Sequence, residues 1–131
     1  MDYSGDRGGT LLAQPVCLSV PAARDHVRVA RLTAAVVAER LDFDIEEIDD
    51  VLIAVDELTN AIIQARPTSE IEFRFRDEGG TFVADADATV AGAPSLAPLA
   101  RQVLLAVVDD FELTERAGHA HFRLHKRAAA A

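Results

Sequence analysis

Residues 42–65, "DFDIEEIDDVLIAVDELTNAIIQA", predict one long amphipathic helix around which the fold is built. Asp44 is a candidate N-cap, and the acids after it suit the positive end of the helix dipole. Apolar residues recur at spacings of three and four, which is typical of a helix that buries one face. Pro67 and the restricted residue before it end the pattern, so we expect the helix to run from Ile45 to about Ala65.

The flanking sequence predicts further elements on both sides of this helix. Alternating apolar residues give a strand at 15–20, and Pro21 opens a first helix that ends near Leu41. After the long helix we expect a hairpin at 69–86, a loop at 85–95, a short helix at 96–108 and a closing hairpin at 110–127. This order predicts an α+β fold, a two-layer sandwich in which a mostly antiparallel, mixed sheet is covered on one face by about three helices.

Length and composition limit the classes of function. The 131 residues are 50% hydrophobic, which fits a flexible segment at 1–13, a single domain at 14–127 and a frayed tail at 128–131. Acids outnumber Lys plus Arg by 22 to 13, and the net charge of -9 disfavours binding to nucleic acid or to an anionic membrane. Cys17 is the only cysteine, and the sequence shows no signal peptide or membrane span, so we expect a cytoplasmic protein.

The long helix carries a polar group of residues on one face. Asp56 and Asn60 are four apart, and Glu57 and Asn60 are three apart, so each pair leaves the helix in a similar direction. A carboxylate and a carboxamide placed in this way could hold a divalent cation or orient a nucleophile for phosphoryl transfer. Alternatively the acids are solvated, Thr59 bonds to the preceding turn, and Asn60 bonds inside the protein.

Residues 20–65 resemble the anti-sigma factor serine kinases, small regulators in the GHKL ATPase superfamily that also contains the histidine-kinase catalytic domain. The resemblance lies in a proline-started helix with "RLT" at 31–33, "AV" at 54–55, an acid, and "TNA" at 59–61. It implies a GHKL, or Bergerat-like, sandwich, which agrees with the deduced order of elements.

The resemblance also implies roles for individual residues. Asp56 matches the glutamate that serves as general base, and Glu57 would take that place if the helix had a one-residue deletion. Asn60 matches the residue that binds the Mg²⁺ of ATP. Asp85 or Asp87 stands where the family has an aspartate that holds adenine.

The glycines that this family places around ATP are mostly missing. Gly92 is the only glycine in the stretch "ADADATVAGAPSLAP" that follows the first hairpin, and close approach of backbone to phosphate usually needs glycine. We therefore expect an anti-sigma factor-like regulator with an eroded ATP site and no cofactor. The alternative is an active protein serine kinase, dependent on ATP and Mg²⁺, that phosphorylates an anti-anti-sigma factor.

The resemblance implies three partners: a sigma factor, an anti-anti-sigma protein of the STAS type, and a second copy in a homodimer. Arg24, Arg28 and Arg31 form a stripe on the first helix that is either solvated or a partner-binding edge. A second possible site is a row of histidines on one face of the last strand, which could bind a transition metal but more simply forms a solvated face; these are His119, His121 and His125.

Overall fold

The computed structural model describes residues 14–128. Along the chain its elements are β1 (Val16–Val20), α1 (Arg24–Glu39), α2 (Ile45–Gln64), β2 (Ile71–Glu78), β3 (Thr81–Thr89), α3 (Pro98–Val107), β4 (Asp110–Arg116) and β5 (His119–Arg127). The predictions of a flexible segment at 1–13 and of a frayed tail at 128–131 lie outside the described residues, except for Ala128, which packs against the core.

The five strands form one sheet in the order β1-β2-β3-β5-β4. Every pairing between these strands is antiparallel, so the sheet is not mixed. The three helices cover one face of it, which confirms the predicted α+β sandwich. None of the helices in residues 14–128 is both long enough and apolar enough to cross a membrane.

Strand alternation separates a buried face from a wet face of the sheet. In β2, Phe73 and Phe75 point towards the helices and are fully buried, whereas Arg74 and Arg76 point to the other side. The same alternation buries Phe122 of β5 beneath the helices. The core therefore lies between the sheet and the helical layer, and the opposite face carries charge.

The central helix α2 begins where the sequence predicts. Asp44 accepts a hydrogen bond of 2.7 Å from the backbone N–H of Glu47, and Glu47 accepts one of 2.8 Å from the backbone N–H of Asp44. This capping box satisfies two of the otherwise unpaired N–H groups at the start of the helix. Its position sets which residues of α2 face the core and which face outwards.

The hairpin of β2 and β3 is longer than the sequence predicts. Gly79 and Gly80 both have positive φ angles, 61° and 89°, which a two-residue turn between twisted strands requires. From this turn β3 continues to Thr89, because β5 pairs with it along its whole length from Thr81 to Thr89. The predicted loop at 85–95 is therefore wrong for residues 85–89, where sheet pairing overrides the low strand propensity of alanine and aspartate.

Candidate functional site

Helix α2 and the start of α3 line a small, open cavity on the helical side of the domain. Glu57 and Asn60 line it together with Ala61, Gln64, Ser95, Leu96, Ala97 and Ala100. Its volume is about 130 Å³, whereas sites for small molecules usually measure about 300–1,000 Å³. A nucleoside triphosphate is larger than this space, so it could bind only if the cavity widened.

The cavity is small because the chain between β3 and α3 is short. β3 ends at Thr89 and α3 begins at Pro98, so residues 90–97 are the whole connection. Ser95 and Leu96 in this segment contact the same cavity as Asn60. The segment is too short to form a flap over phosphates.

The structure separates the two acids that were candidates for a general base. Glu57 shares the cavity with Asn60. The carboxylate of Asp56 instead accepts a hydrogen bond of 2.9 Å from Nε of Arg31 on α1. The residue that matches the family's glutamate in sequence is thus held by an arginine, and the neighbouring glutamate lies beside the asparagine.

The side chains of Thr59 and Asn60 do not form the hydrogen bonds that the alternative interpretation of the sequence predicts. Among residues 14–128 the carboxamide of Asn60 has no hydrogen-bond partner, so the expectation of an internal bond is wrong. Thr59 is fully buried, and its hydroxyl has no partner in the same part of the chain. Asn60 is thus free to meet a ligand or water, whereas Thr59 contributes an unsatisfied group to the core.

Asp85 and Asp87 lie on the opposite face of the sheet from Asn60. Both are strand residues of β3, and both point away from the helices, with Asp85 fully buried. The structure therefore does not bring them together with Asn60 in one adenine and phosphate site. Their position follows from the extension of β3, which places these aspartates in register with β2 and β5.

These aspartates instead organise a network of charges on the wet face. Asp85 accepts hydrogen bonds of 2.8 Å from Arg76 and 2.6 Å from Arg123. Asp87 accepts one of 2.6 Å from Arg74 and contacts Nδ1 of His121 at 2.9 Å. The arginines are residues that sequence reasoning missed, because their meeting depends on the register of three strands.

The network keeps both aspartates ionised. Burial alone raises the pKa of Asp85, but hydrogen bonds from Arg123 and Arg76 outweigh it, and the pKa lies below its ordinary value. Burial likewise raises the pKa of Asp87, and bonds from Arg74 and His121 bring it below the ordinary value. The network therefore supplies hydrogen-bond partners for the carboxylates of Asp85 and Asp87 without any ligand.

Gly92 packs against the C-terminal end of α2 and does not line the cavity. Its backbone N–H donates a hydrogen bond of 2.8 Å to the carbonyl of Ala65, and the N–H of Ala91 donates one of 2.9 Å to Arg66. A Cβ at Gly92 would lie 3.1 Å from the guanidinium of Arg66. The glycine is thus explained by the packing of α2 against the connection, and of the four predicted cofactor-binding residues only Asn60 lines the cavity.

The arginines of α1 and the histidines of β5 lie on the exposed surfaces on which the sequence places them. Arg24, Arg28 and Arg31 are all exposed on α1, and only Arg31 of the three reaches another element within residues 14–128. His119, His121 and His125 share the wet face of β5, where His121 bonds to Asp87. No group of three or more His, Cys, Asp or Glu side chains in the described part of the chain is placed to hold a metal ion.

Comparison with known proteins identifies the class of domain that this fold and cavity represent. The family described as "Histidine kinase-like ATPase domain" matches residues 20–111. The chain belongs to this family.

Two particular proteins are similar to the chain. Residues of the Serine-protein kinase RsbW from Oceanobacillus iheyensis are 44% identical over 54 residues, which is 40% of this chain and 34% of that protein. The crystal structure of the RsbU and RsbW domains of Rv1364c from Mycobacterium tuberculosis superimposes with a TM-score of 0.71 at 17% identity. That match covers 86% of this chain and 32% of the solved chain, and it supports the fold.

Proposed function

We propose that the chain is a cytoplasmic anti-sigma factor-like regulator that acts by binding and that its ATP site is eroded. The observation that carries the proposal is the cavity of about 130 Å³ beside Asn60, into which the start of α3 packs. In such a regulator the fold serves as a surface for a sigma factor and for a STAS-type anti-anti-sigma protein. The two proteins compete for it, and a homodimer is the working form.

The exposed arginines of α1 supply a surface for these partners. Arg24 and Arg28 are exposed and make no ion pair within residues 14–128, in a chain whose net charge is -9. A basic stripe on an acidic protein attracts an acidic patch of a partner. We assign this stripe to the sigma factor or its antagonist.

An active protein serine kinase is the second candidate, and two observations favour it. Glu57 and Asn60 line one cavity, so an acid and a carboxamide are together where phosphoryl transfer would need them. The curated relative that matches residues of this chain is a serine-protein kinase, although the match spans 34% of it. If the connection at residues 90–97 opened, Glu57 would be the base and Asn60 the ligand of Mg²⁺.

Capture of partners tests the proposed function. The purified chain is immobilised and incubated with extract of its own cells, and retained proteins are identified by mass spectrometry. We expect a sigma factor or a STAS-type protein, and we expect the doubly substituted Arg24→Glu, Arg28→Glu protein to lose it. Arg116→Glu, an exposed arginine on β4, is the control and should retain the partner. If neither class of protein is retained at any salt concentration, the proposed function is wrong.

A further inference from the structure

The cavity beside Asn60 is lined by polar side chains that have no partner inside the protein. Glu57, Asn60 and Gln64 line it from α2, and Ser95 lines it from the connection to α3. None of these four side chains makes a hydrogen bond or an ion pair within residues 14–128. A carboxylate, two carboxamides and a hydroxyl all offer acceptor oxygens, so a ligand that binds among them must supply several donors.

The charge of Glu57 is not balanced by the elements that line the cavity. The 20 residues of α2 include six acids and no lysine or arginine, and the connection from β3 to α3 carries no charge. α3 has a single base, Arg101, whose guanidinium lies over the ring of Phe111 on β4. Lys126 of β5 lies 3.6 Å from Asp50, two turns of α2 before Glu57. The cavity is therefore electrostatically complementary to a cation from outside the domain.

The shape of the cavity suits the end of one long side chain. Its volume is about 130 Å³, and its remaining walls are apolar; they are formed by Ala61, Leu96, Ala97 and Ala100. An arginine side chain combines an apolar stem with a planar head that carries five N–H donors. The head can bond to both oxygens of a carboxylate and still donate to neighbouring acceptors.

We infer that the cavity receives one arginine side chain of a partner protein, whose guanidinium pairs with Glu57 and donates to the carboxamide oxygen of Asn60. The site rests on the proposed function, in which the chain acts by binding proteins. It names the chemical group that occupies the eroded nucleotide site when a partner is bound.

Exposed apolar residues border the mouth of the cavity. Ile53 lies one turn before the acid of the cavity on α2 and is 38% exposed, and Leu99 lies beside Ala100 on α3 and is 72% exposed. At about 100° per residue, Leu99 lies on one side of Ala100, whereas Leu105 lies on the other side with the buried Leu104. Leu99 is therefore on the outward side of the groove between the two helices. Apolar residues next to the arginine in the partner's chain contact Ile53 and Leu99.

Backbone amide NMR of the full chain tests the site with a defined probe, Nα-acetyl-L-arginine amide. We expect saturable shift changes centred on Asn60, Gln64 and Ser95. The dissociation constant should rise at least about tenfold in Glu57→Gln, because the charged pair is lost. Glu46→Gln is the matched control, since it removes the same charge three turns away on the same helix, and it should leave the constant unchanged.

A second probe separates recognition of the charge from recognition of shape. Nα-acetyl-L-citrulline amide has nearly the shape of the arginine probe but no charge, and it should not bind. This control needs no variant of the protein, so it does not depend on how Glu57→Gln folds. The inference is overturned if the arginine probe leaves the amides around the cavity unshifted, if Glu46→Gln weakens it as much as Glu57→Gln does, or if citrulline binds equally well.

A peptide tests whether the guanidinium comes from a protein. A capped pentapeptide with the sequence Ala-Leu-Arg-Leu-Ala should bind at least about fivefold more tightly than the arginine probe, because its leucines bury apolar surface against the mouth. Leu99→Ala should remove most of this advantage and leave the affinity for the arginine probe unchanged. Leu105→Ala is the matched control, with 66% exposure against 72% for Leu99, and should change neither affinity. Equal affinities for peptide and arginine probe would assign the cavity to a free guanidinium compound and overturn the docking of a protein.

Failure of the inference and failure of the proposed function give different results. A chain that retains a sigma factor or a STAS-type protein but does not bind the arginine probe contradicts only the arginine site. A chain that binds the probe and the peptide as expected but retains neither protein contradicts only the proposed function. A thermal melt checks that each variant is folded.

Discussion

Nε of Arg31 donates a hydrogen bond of 2.9 Å to Oδ2 of Asp56, and this ion pair joins α1 to α2 one turn before Asn60. This ion pair determines which of the two acids, Asp56 or Glu57, is available to the cavity. Asp56 is engaged by the helix that carries the proposed partner surface, and Glu57 lies beside Asn60. The sequence motif and the geometry therefore assign the acid of the family's motif to different residues.

The Arg31 and Asp56 pair should contribute little to stability. Both side chains are partly exposed, by 47% and 35%, and exposed ion pairs contribute about 0–1 kcal/mol. A double-mutant cycle of Arg31→Ala and Asp56→Ala, followed by urea unfolding, should give a coupling free energy below about 1 kcal/mol. A coupling of several kcal/mol would show that the pair fixes α1 on α2.

Removal of the buried hydroxyl of Thr59 should stabilise the domain. This hydroxyl is buried without a partner among the described residues, and a buried unsatisfied group costs about 1–3 kcal/mol. Thr59→Val should therefore raise the free energy of unfolding by about 1 kcal/mol and the melting temperature by a few degrees. Thr33→Val is the control. The hydroxyl of Thr33 donates a 2.8 Å hydrogen bond to the carbonyl of Val29, so its removal should not raise the free energy of unfolding. A lower melting temperature for Thr59→Val would indicate a partner for the hydroxyl.

Asp85→Asn should destabilise the domain in a pH-dependent way. The pKa of Asp85 is lowered in the folded state, so its contribution to stability is complete above the unfolded pKa of about 4 and is lost as the pH falls through the folded value. We expect a loss of about 1–3 kcal/mol at pH 7, because an uncharged carboxamide replaces the carboxylate that accepts from two arginines. The loss should shrink in unfolding measurements below about pH 4.

Asp87→Asn is the comparison for the same network. Its side chain is 28% exposed against 1% for Asp85, so water replaces its lost bonds more readily and the destabilisation should be smaller. Equal losses at both positions, or a loss at Asp85 that does not depend on pH, would show that the network does not act through the charge of Asp85.

Asn60→Ala should leave the stability of the domain almost unchanged. The carboxamide has no hydrogen-bond partner within residues 14–128, and substitutions without such a feature usually change stability by no more than about 0.5 kcal/mol. The melting temperature should move by no more than about two degrees. Gln64→Ala, which lines the same cavity, should behave alike, and a drop of several degrees in Asn60→Ala alone would reveal an internal bond.

The helical half of the fold could be predicted because its signals are local. The capping pattern at Asp44 predicts the start of α2 correctly. Pro67 predicts an end at about Ala65, one residue from the observed Gln64. The first helix, which the sequence predicts from Pro21 to about Leu41, is observed at Arg24–Glu39.

The end of β3 and the candidate site depend on contacts between distant residues, and no local pattern records them. β3 continues through Asp85 and Asp87 because β5 pairs with it, and their charges are matched by Arg74, Arg76 and Arg123 from two other strands. The pairing of Asp56 with Arg31 needs the packing of α1 on α2. The volume beside Asn60 depends on how residues 90–97 cross the end of α2.

Isothermal titration calorimetry with Mg-ATP tests the central claim, that the cavity at Asn60 is too small for a nucleotide and that the chain acts by binding proteins. The parent chain and Asn60→Ala are each titrated to millimolar nucleotide in the presence of Mg²⁺. We predict no binding heat for either protein, because a cavity of about 130 Å³ does not admit the nucleotide. Micromolar binding to the parent chain that is lost in Asn60→Ala would contradict the account and support the kinase.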